Sequence, residues 1–580
     1  MRTRTAIGAV LGIGLTVAGS SSGCALIAGV RDDAVPYPSD GGTGAGGDAT
    51  TTGTGGALAC VPGTAMSCYS GKDGEQGTGQ CKAGTTTCNA NGTLYESCIG
   101  EVLPGTESCA LPGDEDCDGI ACSDCDWSFL AGDVNDQAPI GMAIDSSGNI
   151  VVVGYFSGTL KLQDKAKGTS VTLNAAGTNN YFVSKFDTNG DVLWAKGFGG
   201  VGGSGLSLVT AVYSNGDIGI AGGLSASTSF GGKPLSVLGF RDIFVVKLDS
   251  AGNHIWSKNF GTQFSIAEAT SLAFDSTGNL VVGGKSINDI TIGSKSFAGS
   301  GYYDAFILMM TGDTGDVAWV NQYKEKSSQS NGDQSITQLT TDTSGIIYAG
   351  GTFSGSICLK GGASDCANTV GGGKDTDLFV AKLDNSGFVS WGRIIGTAKN
   401  DAATNIAVDS SGNITITGTM GASFDFGGGS QNVTGSGQHA FLAKYSNTGT
   451  YLNARIFESS GGSAPSSVGV GLATDAADNV YLAGNMVENL IVGGDILVNG
   501  GPASTSTDIF LSKFDVMLNP LWSKSFGDSK HQYVTALRYD SLGKRMVLAG
   551  QVAGNVNFGT AELAGMSQVT TDLALAKFQP

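Results

Sequence analysis

The chain has 580 residues, of which 93 are Gly, 11 are Pro and only 14% are charged, while 41% are hydrophobic. That balance argues against disorder over most of the length and fits many short strands joined by Gly-rich turns. A formal net charge of −19 repels phosphate backbones and argues against nucleic acid as a partner.

Arg2 and Arg4 open the chain, an apolar run covers Ala6 to Ala18, and small residues follow from Gly19 to Gly23. This is the order of an export signal, and the apolar run is shorter than the about 20 residues needed to span a bilayer. Ser22-Gly23-Cys24 resembles a bacterial lipoprotein box. The resemblance implies a signal peptide over 1–23 and acylation of Cys24; ordinary cleavage nearby, with Cys24 left as a thiol, is the alternative. Ala25 after the cysteine implies the outer membrane or cell surface, with a periplasmic or extracellular location otherwise. No later segment is apolar enough to span, so membrane contact is expected only through the N-terminal lipid. Residues 24–58, which include the tract YPSDGGTGAGGDATTTGTGGAL, cannot bury a core and are expected to be a disordered, flexible tether.

Residues 59–126 form a cysteine-rich module, with Cys60, Cys68, Cys81, Cys88, Cys98, Cys109, Cys117, Cys122 and Cys125. Exported chains meet an oxidising compartment, so disulfides are expected, with zinc at Cys122-x2-Cys125 as the rival. With 12 cysteines in all, acylation of Cys24 leaves an odd number to pair. Cys358 and Cys366, alone in one later loop, are predicted to bridge each other. Asp114-Glu115-Asp116-Cys117-Asp118-Gly119 places three carboxylates on a tight turn, a hard-oxygen set suited to Ca²⁺. The twelfth position is Cys125 rather than a bidentate Glu, so this is not an EF-hand. It resembles the DxDxDG loops of bacterial cysteine-rich repeats, which implies Asp114, Asp116 and Asp118 as ligands; an acidic turn beside a disulfide is the alternative.

From Trp127 to Pro580 four columns recur. The turn glycine of D-S-x-G-N stands at Gly148, Gly216, Gly278, Gly345, Gly412 and Gly543, with Asp478 in its place once, at steps of 62 to 68 residues. An apolar residue, mostly followed by Gly, recurs at Leu162, Phe230, Ile292, Leu359, Phe426, Val492 and Phe558. A strand lysine recurs at Lys185, Lys247, Lys382, Lys444, Lys513 and Lys577, with Met309 standing in. A tryptophan follows at Trp194, Trp256, Trp319, Trp391 and Trp522, with Leu452 standing in. Each unit offers four strands, a to d, and the excess over WD and kelch repeat lengths falls mainly between b and c. The reading is all-β: a seven-bladed β-propeller of four-stranded blades over 127–580, preceded by a disulfide-rich module and a tether. The seventh unit ends three residues after Lys577 without a Trp strand, and a spare one stands at Trp127-Ser128-Phe129-Leu130-Ala131. Residues 127–131 are therefore predicted to complete blade 7. These columns resemble the SBBP repeats of bacterial seven-bladed propellers, which implies an extracytoplasmic binding or scaffolding role and carries over no catalytic site.

His254, His439 and His531 fall in different blades, so neither a shared metal site nor a Ser-His-Asp arrangement is expected. The D-S-x-G-N turns read as hairpin chemistry rather than calcium sites. The variable d-to-a loops lie near the central channel, and Asp133, Asp136, Glu268, Asp333, Asp401 and Asp528 are the candidate ligand-binding residues. The chain is expected to be a monomer that binds an unidentified protein or glycan and has no catalysis of its own. The alternative is a carbohydrate-active or other hydrolytic propeller enzyme, which requires paired carboxylates at the channel mouth.

Overall fold

Asp145 shows how each repeat begins. Its Oδ1 accepts the N–H groups of Ser147 and Asn149 at 2.9 Å each, and its Oδ2 accepts Asn149 Nδ2 at 2.9 Å. Gly148, at φ +78°, supplies the left-handed residue that the turn requires. The chain thus reverses between Gln137–Ile144 and Ile150–Phe156, and Asp275, Asp409 and Asp475 close the same turn in their blades. In each, Oδ1 is taken up by the backbone of its own hairpin and Oδ2 by side chains.

The computed structural model describes residues 60–71, 76–77, 81–104 and 125–579, apart from 178, 200–206, 326–331, 361–365, 371–374, 434–436, 460–465, 502–505, 560–561 and 568. The export signal, the tether, Cys24 and the Asp114, Asp116 and Asp118 loop lie outside the described residues. The chain divides into two units, Met1–Ser67 with Thr85–Ile99, and Cys68–Gly84 with Gly100–Pro580. In the first, Cys60 and Cys88 are disulfide-bonded, and short bridges pair Thr85 with Ile99 and Cys88 with Tyr95. Cys68, Cys81 and Cys98 are disulfide-bonded too.

The second unit contains seven four-stranded antiparallel sheets and no helix among the described residues. Strands a to d lie side by side in each sheet, so a–b and c–d turns share one edge of the ring and b–c and d–a loops the other. Strands b and c are buried on both faces, as in Ile150–Phe156 and Asn180–Phe186, and hold the cores between blades. The extra length of the repeat is a small hairpin between b and c in six blades, for example Ile290–Ile292 with Lys295–Phe297. In the same segment Cys358–Cys366 forms the predicted disulfide.

Blade 7 is built from both ends of the ring sequence. Cys125–Ala131 pairs with Asp572–Phe578, and Trp127 stands opposite Lys577, as Trp194 stands opposite Lys185. The closing strand begins two residues before the predicted Trp127. Cys125 therefore belongs to the ring core, where burial pushes its thiol pKa up to about 12.

Two devices tie each blade to the next. The tryptophan of strand d donates Nε1 to a carbonyl of the next c–d turn: Trp127 to Thr188 at 3.0 Å, Trp256 to Gly312 at 2.9 Å, Trp391 to Asn447 at 3.0 Å. Its ring lies flat on that turn's glycine; a Cβ on Gly252 would come within 2.8 Å of the Trp194 ring. The strand-c lysine reaches the same turn while pairing with its own a–b turn carboxylate. Lys444 lies 2.9 Å from Asp409 and donates to Val516 O at 3.1 Å, and Lys577 lies 3.0 Å from Asp540 and donates to Thr188 O at 3.2 Å. In two blades a tyrosine takes the carboxylate instead. Tyr348 donates to Asp342 and Tyr481 to Asp475, and the lysines, Lys382 and Lys513, lie 5.5 and 5.2 Å from those rings.

One column moves. The residue opposite Lys444 is Asn453, not Leu452, which is 43% exposed. Asn453 Nδ2 still donates to the next turn, at Met517 O. That turn has lost its glycine as well: Leu518 occupies the position at φ +60° and is fully buried in the core shared by blades 5 and 6. Its side chain supplies the apolar contact that an indole makes at the other seams, and its strained backbone is held by that packing.

Removing Trp127–Gly132 is expected to lower the melting temperature of the whole ring; a truncated chain that melts like wild type refutes closure by this strand. Leu518→Gly is expected to destabilise by about 2–5 kcal/mol through the void it leaves, and Asn453→Trp by about 1–3 kcal/mol through overpacking. The double variant restores the pattern of the other seams and is expected to recover at least about 1 kcal/mol of the summed loss in denaturant unfolding.

Candidate functional site

The six carboxylates expected to line a ligand site are each engaged by neighbouring groups of the ring. Asp133 Oδ1 accepts Asn135 N at 2.8 Å and Gln137 Nε2 at 2.8 Å, and its Oδ2 accepts Thr159 N at 2.7 Å. Burial opposes its ionisation, but the hydrogen bonds from Asn135, Thr159 and Gln137 hold its pKa below the usual carboxylate range. Asp528 repeats the pattern with Lys530 N, Gln532 Nε2 and Asn555 N at 2.7, 2.7 and 2.9 Å. Asp136 accepts Thr571 N and Asp333 accepts Tyr303 N, at 3.0 and 2.9 Å. Asp401 is fully buried and accepts Thr397 N and Gly421 N; burial raises its pKa. Glu268 is clamped between Arg241 and Lys285 at 3.1 and 3.2 Å. The structure distributes these groups as braces over separate loops and, for Glu268, the strand Ile266–Phe274.

A second acidic column escaped the sequence reading. Strand c begins, or nearly begins, with a buried polar residue in every blade: Asn180, Asp242, Asp304, Asp377, His439, Asp508 and Asp572, each at most 3% exposed. Each lies five residues before the lysine column, a spacing that would have revealed it. The glycine after strand d exists to admit these groups. A Cβ on Gly132, Gly261 or Gly396 would come within 2.1 Å of the Asp572, Asp242 or Asp377 carboxylate. Asp508 Oδ2 accepts Gly500 N at 2.6 Å while Oδ1 has no hydrogen bond, and burial pushes its pKa up to about 6.

The central channel is lined by strand a. A bulge interrupts this strand in six blades, for example between Pro139 and Gly141 and between Ala403 and Asn405. Where threonine occupies the bulge its hydroxyl bonds a strand-b carbonyl, as Thr404 does to Thr417 O at 3.2 Å and Thr535 to Ala549 O at 3.3 Å. Beyond the bulge the register aligns Ala143, Ala211, Ala273, Thr340, Ala407, Ala473 and Arg538, each one pair before the a–b turn begins in blade 1 numbering. Five alanines and a threonine leave room for a chamber of about 380 Å³, continuous in lining with a second of about 240 Å³ through Thr210, Leu272, Gln338, Asn405 and Arg538. The described lining of both chambers contains no Asp, Glu, His, Cys or Lys.

The histidines lie apart: His254 contacts Ser257 Oγ in the outer strand of blade 2, His439 is buried in blade 5, and His531 stacks on Tyr533 in blade 7. Among the described residues no three His, Cys, Asp or Glu side chains converge to hold a metal ion.

No protein-family model matches the chain. A stretch of 154 residues is 32% identical to regulatory protein FlaEY of Caulobacter vibrioides, covering 24% of this chain and 14% of that protein. A stretch of 255 residues is 26% identical to an uncharacterized WD repeat-containing protein of Acanthamoeba polyphaga mimivirus, covering 39% of this chain and 17% of that protein. The chain thus spans less than a fifth of the length of either relative. Among solved structures it is similar to the quinohemoprotein alcohol dehydrogenase of Comamonas testosteroni, at 13% identity and TM-score 0.37, over 78% of this chain and 76% of that one. It is also similar to an ulvan polysaccharide lyase, at 11% identity and TM-score 0.39, over 75% of this chain and 95% of that one. Likeness at these levels carries no argument about activity.

The folded pKa of Asp508, about 6, lies above that of an unfolded aspartate, so folding takes up a proton between the two. Its contribution is complete below about pH 4 and is lost as pH rises through about 6, amounting to as much as about 3 kcal/mol. Asp508→Asn, which copies Asn180 of blade 1, is expected to gain stability relative to wild type as pH rises across that window. A difference in melting temperature that stays constant between pH 4 and pH 7 contradicts the assignment.

Proposed function

We propose that this chain is an exported, lipid-anchored cell-envelope protein that acts by binding, with its ligand held at the central channel of the propeller. The observation that carries the reading is the chamber itself. A ring closed by its own N-terminal strand holds a space of about 380 Å³, within the range of small-ligand pockets. Its described lining provides walls and hydrogen bonds but no carboxylate, imidazole, thiol or amine to move a proton. The resemblance of the repeats to the SBBP propellers supports a binding or scaffolding role, and the Cys60–Cys88 and Cys358–Cys366 disulfides support an oxidising compartment. The export signal and the Cys24 box supply the anchor in this reading, and Asp114, Asp116 and Asp118 supply a Ca²⁺ site in the cysteine-rich module.

Two measurements test it. Full-length protein is expected to partition with detergent after export, and Cys24→Ser to remain in the aqueous phase; equal partitioning refutes the lipid anchor. Glycan, metal and protein-partner arrays are expected to yield a ligand shared by residues 59–580 and 127–580. Turnover of an arrayed glycan by either piece overturns the binding role in favour of a hydrolytic propeller.

A further inference from the structure

Seven blades place seven equivalent residues around the channel one step before the a–b turn. Six of them are small, and the seventh is Arg538, opposite Val547 on strand b of blade 7. Chance variation on an exposed surface explains a lone arginine easily, but this position is neither exposed nor surrounded by partners. Arg538 is half-buried in the channel wall and borders both chambers. Its guanidinium donates to Leu537 O at 2.9 Å, from one of the five N–H donors such a group carries. It is the only charged residue among the described lining of either chamber, in a chain with a net charge of −19. Four of the strand-c lysines beside the core have a carboxylate within reach, Lys185 with Asp145, Lys247 with Asp217, Lys444 with Asp409 and Lys577 with Asp540, whereas no ion pair among the described residues holds Arg538. A charge desolvated by a low-dielectric wall without an opposite charge is costly, and that cost falls when an anion enters.

We propose that Arg538 makes the central channel an oxyanion site, which takes a small ligand bearing a carboxylate or phosphate group. This rests on the channel being where the ring binds, and names the chemistry it selects. The guanidinium fork offers two parallel hydrogen bonds to one oxyanion. Thr340, at the equivalent position of blade 4, adds a hydroxyl-bearing side chain to the same chamber. Alanine at five of the seven equivalent positions leaves the volume the ligand occupies. The acidic exterior of the protein then disfavours anions everywhere except in this throat, so the site selects by contrast as well as by contact.

The test uses the full chain and defined probes: glucuronate, citrate and inorganic phosphate at matched ionic strength, with glucose as the neutral counterpart of glucuronate. At least one oxyanion is expected to raise the melting temperature saturably and to give a binding isotherm by calorimetry, while glucose gives neither. Which arm responds separates carboxylate from phosphate. Arg538→Ala installs the residue that five other blades carry, so it is expected to fold and to melt no lower than wild type without anion, yet to lose the anion response. Arg538→Lys keeps the charge without the fork and is expected to bind at least tenfold more weakly; Arg538→Gln is the second neutral variant should the alanine form fail to fold. Wild type without a saturable response to any of the three anions overturns the proposal, as does a response that survives in both neutral variants. An array ligand that Arg538→Ala still binds leaves the binding role standing while the anion site falls.

Discussion

Each seam of this ring depends on the outermost strand of one blade gripping the outer turn of the next. An indole rests on a turn glycine, and a lysine spans from its own blade's inner turn to the same neighbouring turn. The contact fixes both the rotation and the spacing between blades, because ring, glycine and carbonyl must all meet. It also explains why the recurrent letters of the repeat are Asp, Gly, Lys and Trp rather than a simple apolar alternation. Where one member changes, the seam is kept by a compensating change or by the remaining member. Asn453 and Leu518 form such an exchange, with the bulk moved from strand to turn. Met309, which cannot pair with Asp275, leaves that seam to Trp319, whose Nε1 still donates to Asn385 O.

The ring was legible in the sequence because these seam residues are periodic and chemically distinctive. The closing strand was legible for the same reason, since Trp127 is a seam tryptophan without a repeat of its own. What the periodic columns hid has physical causes. Counting nine residues from Lys444, the step that separates lysine from tryptophan at Lys185, Lys247, Lys382 and Lys513, gives Asn453; the apolar Leu452 beside it stands out instead because a polar residue does not look like a stand-in for an indole. The channel-facing positions were illegible because the bulge in strand a shifts the inside–outside alternation partway along the strand. Arg538 then reads as one more polar residue in a short strand until the register is known. The buried aspartates at the start of strand c carry a regular spacing that a search confined to glycine, lysine and tryptophan passes over.

The acidic residues of the loops change meaning once they are seen in place. Asp133, Asp401 and Asp528 are loop braces whose oxygens already accept backbone N–H groups. A chain with short loops and few apolar residues in them fixes their shape in this way, by offering carboxylates to backbone donors that would otherwise face water. Negative charge at the ring edges is thus a by-product of loop architecture. The channel, built from strand rather than loop, escapes that requirement and can carry a different sign.

The pairing of Cys125–Ala131 with Asp572–Phe578 also sets an order of events in time. The two partners lie more than 400 residues apart, so bringing them together costs on the order of 5 kcal/mol in chain entropy before any contact is gained. In a chain emerging from its N-terminus this strand precedes its partner by blades 1 to 6. Until the partner emerges the strand has no sheet to join, and blade 7 presents an open edge on each side of the gap. Blades 1 to 6 are contiguous in sequence and can assemble locally, but the ring gains its last seam only when Phe578 has arrived, which makes closure the slow, long-range step of folding.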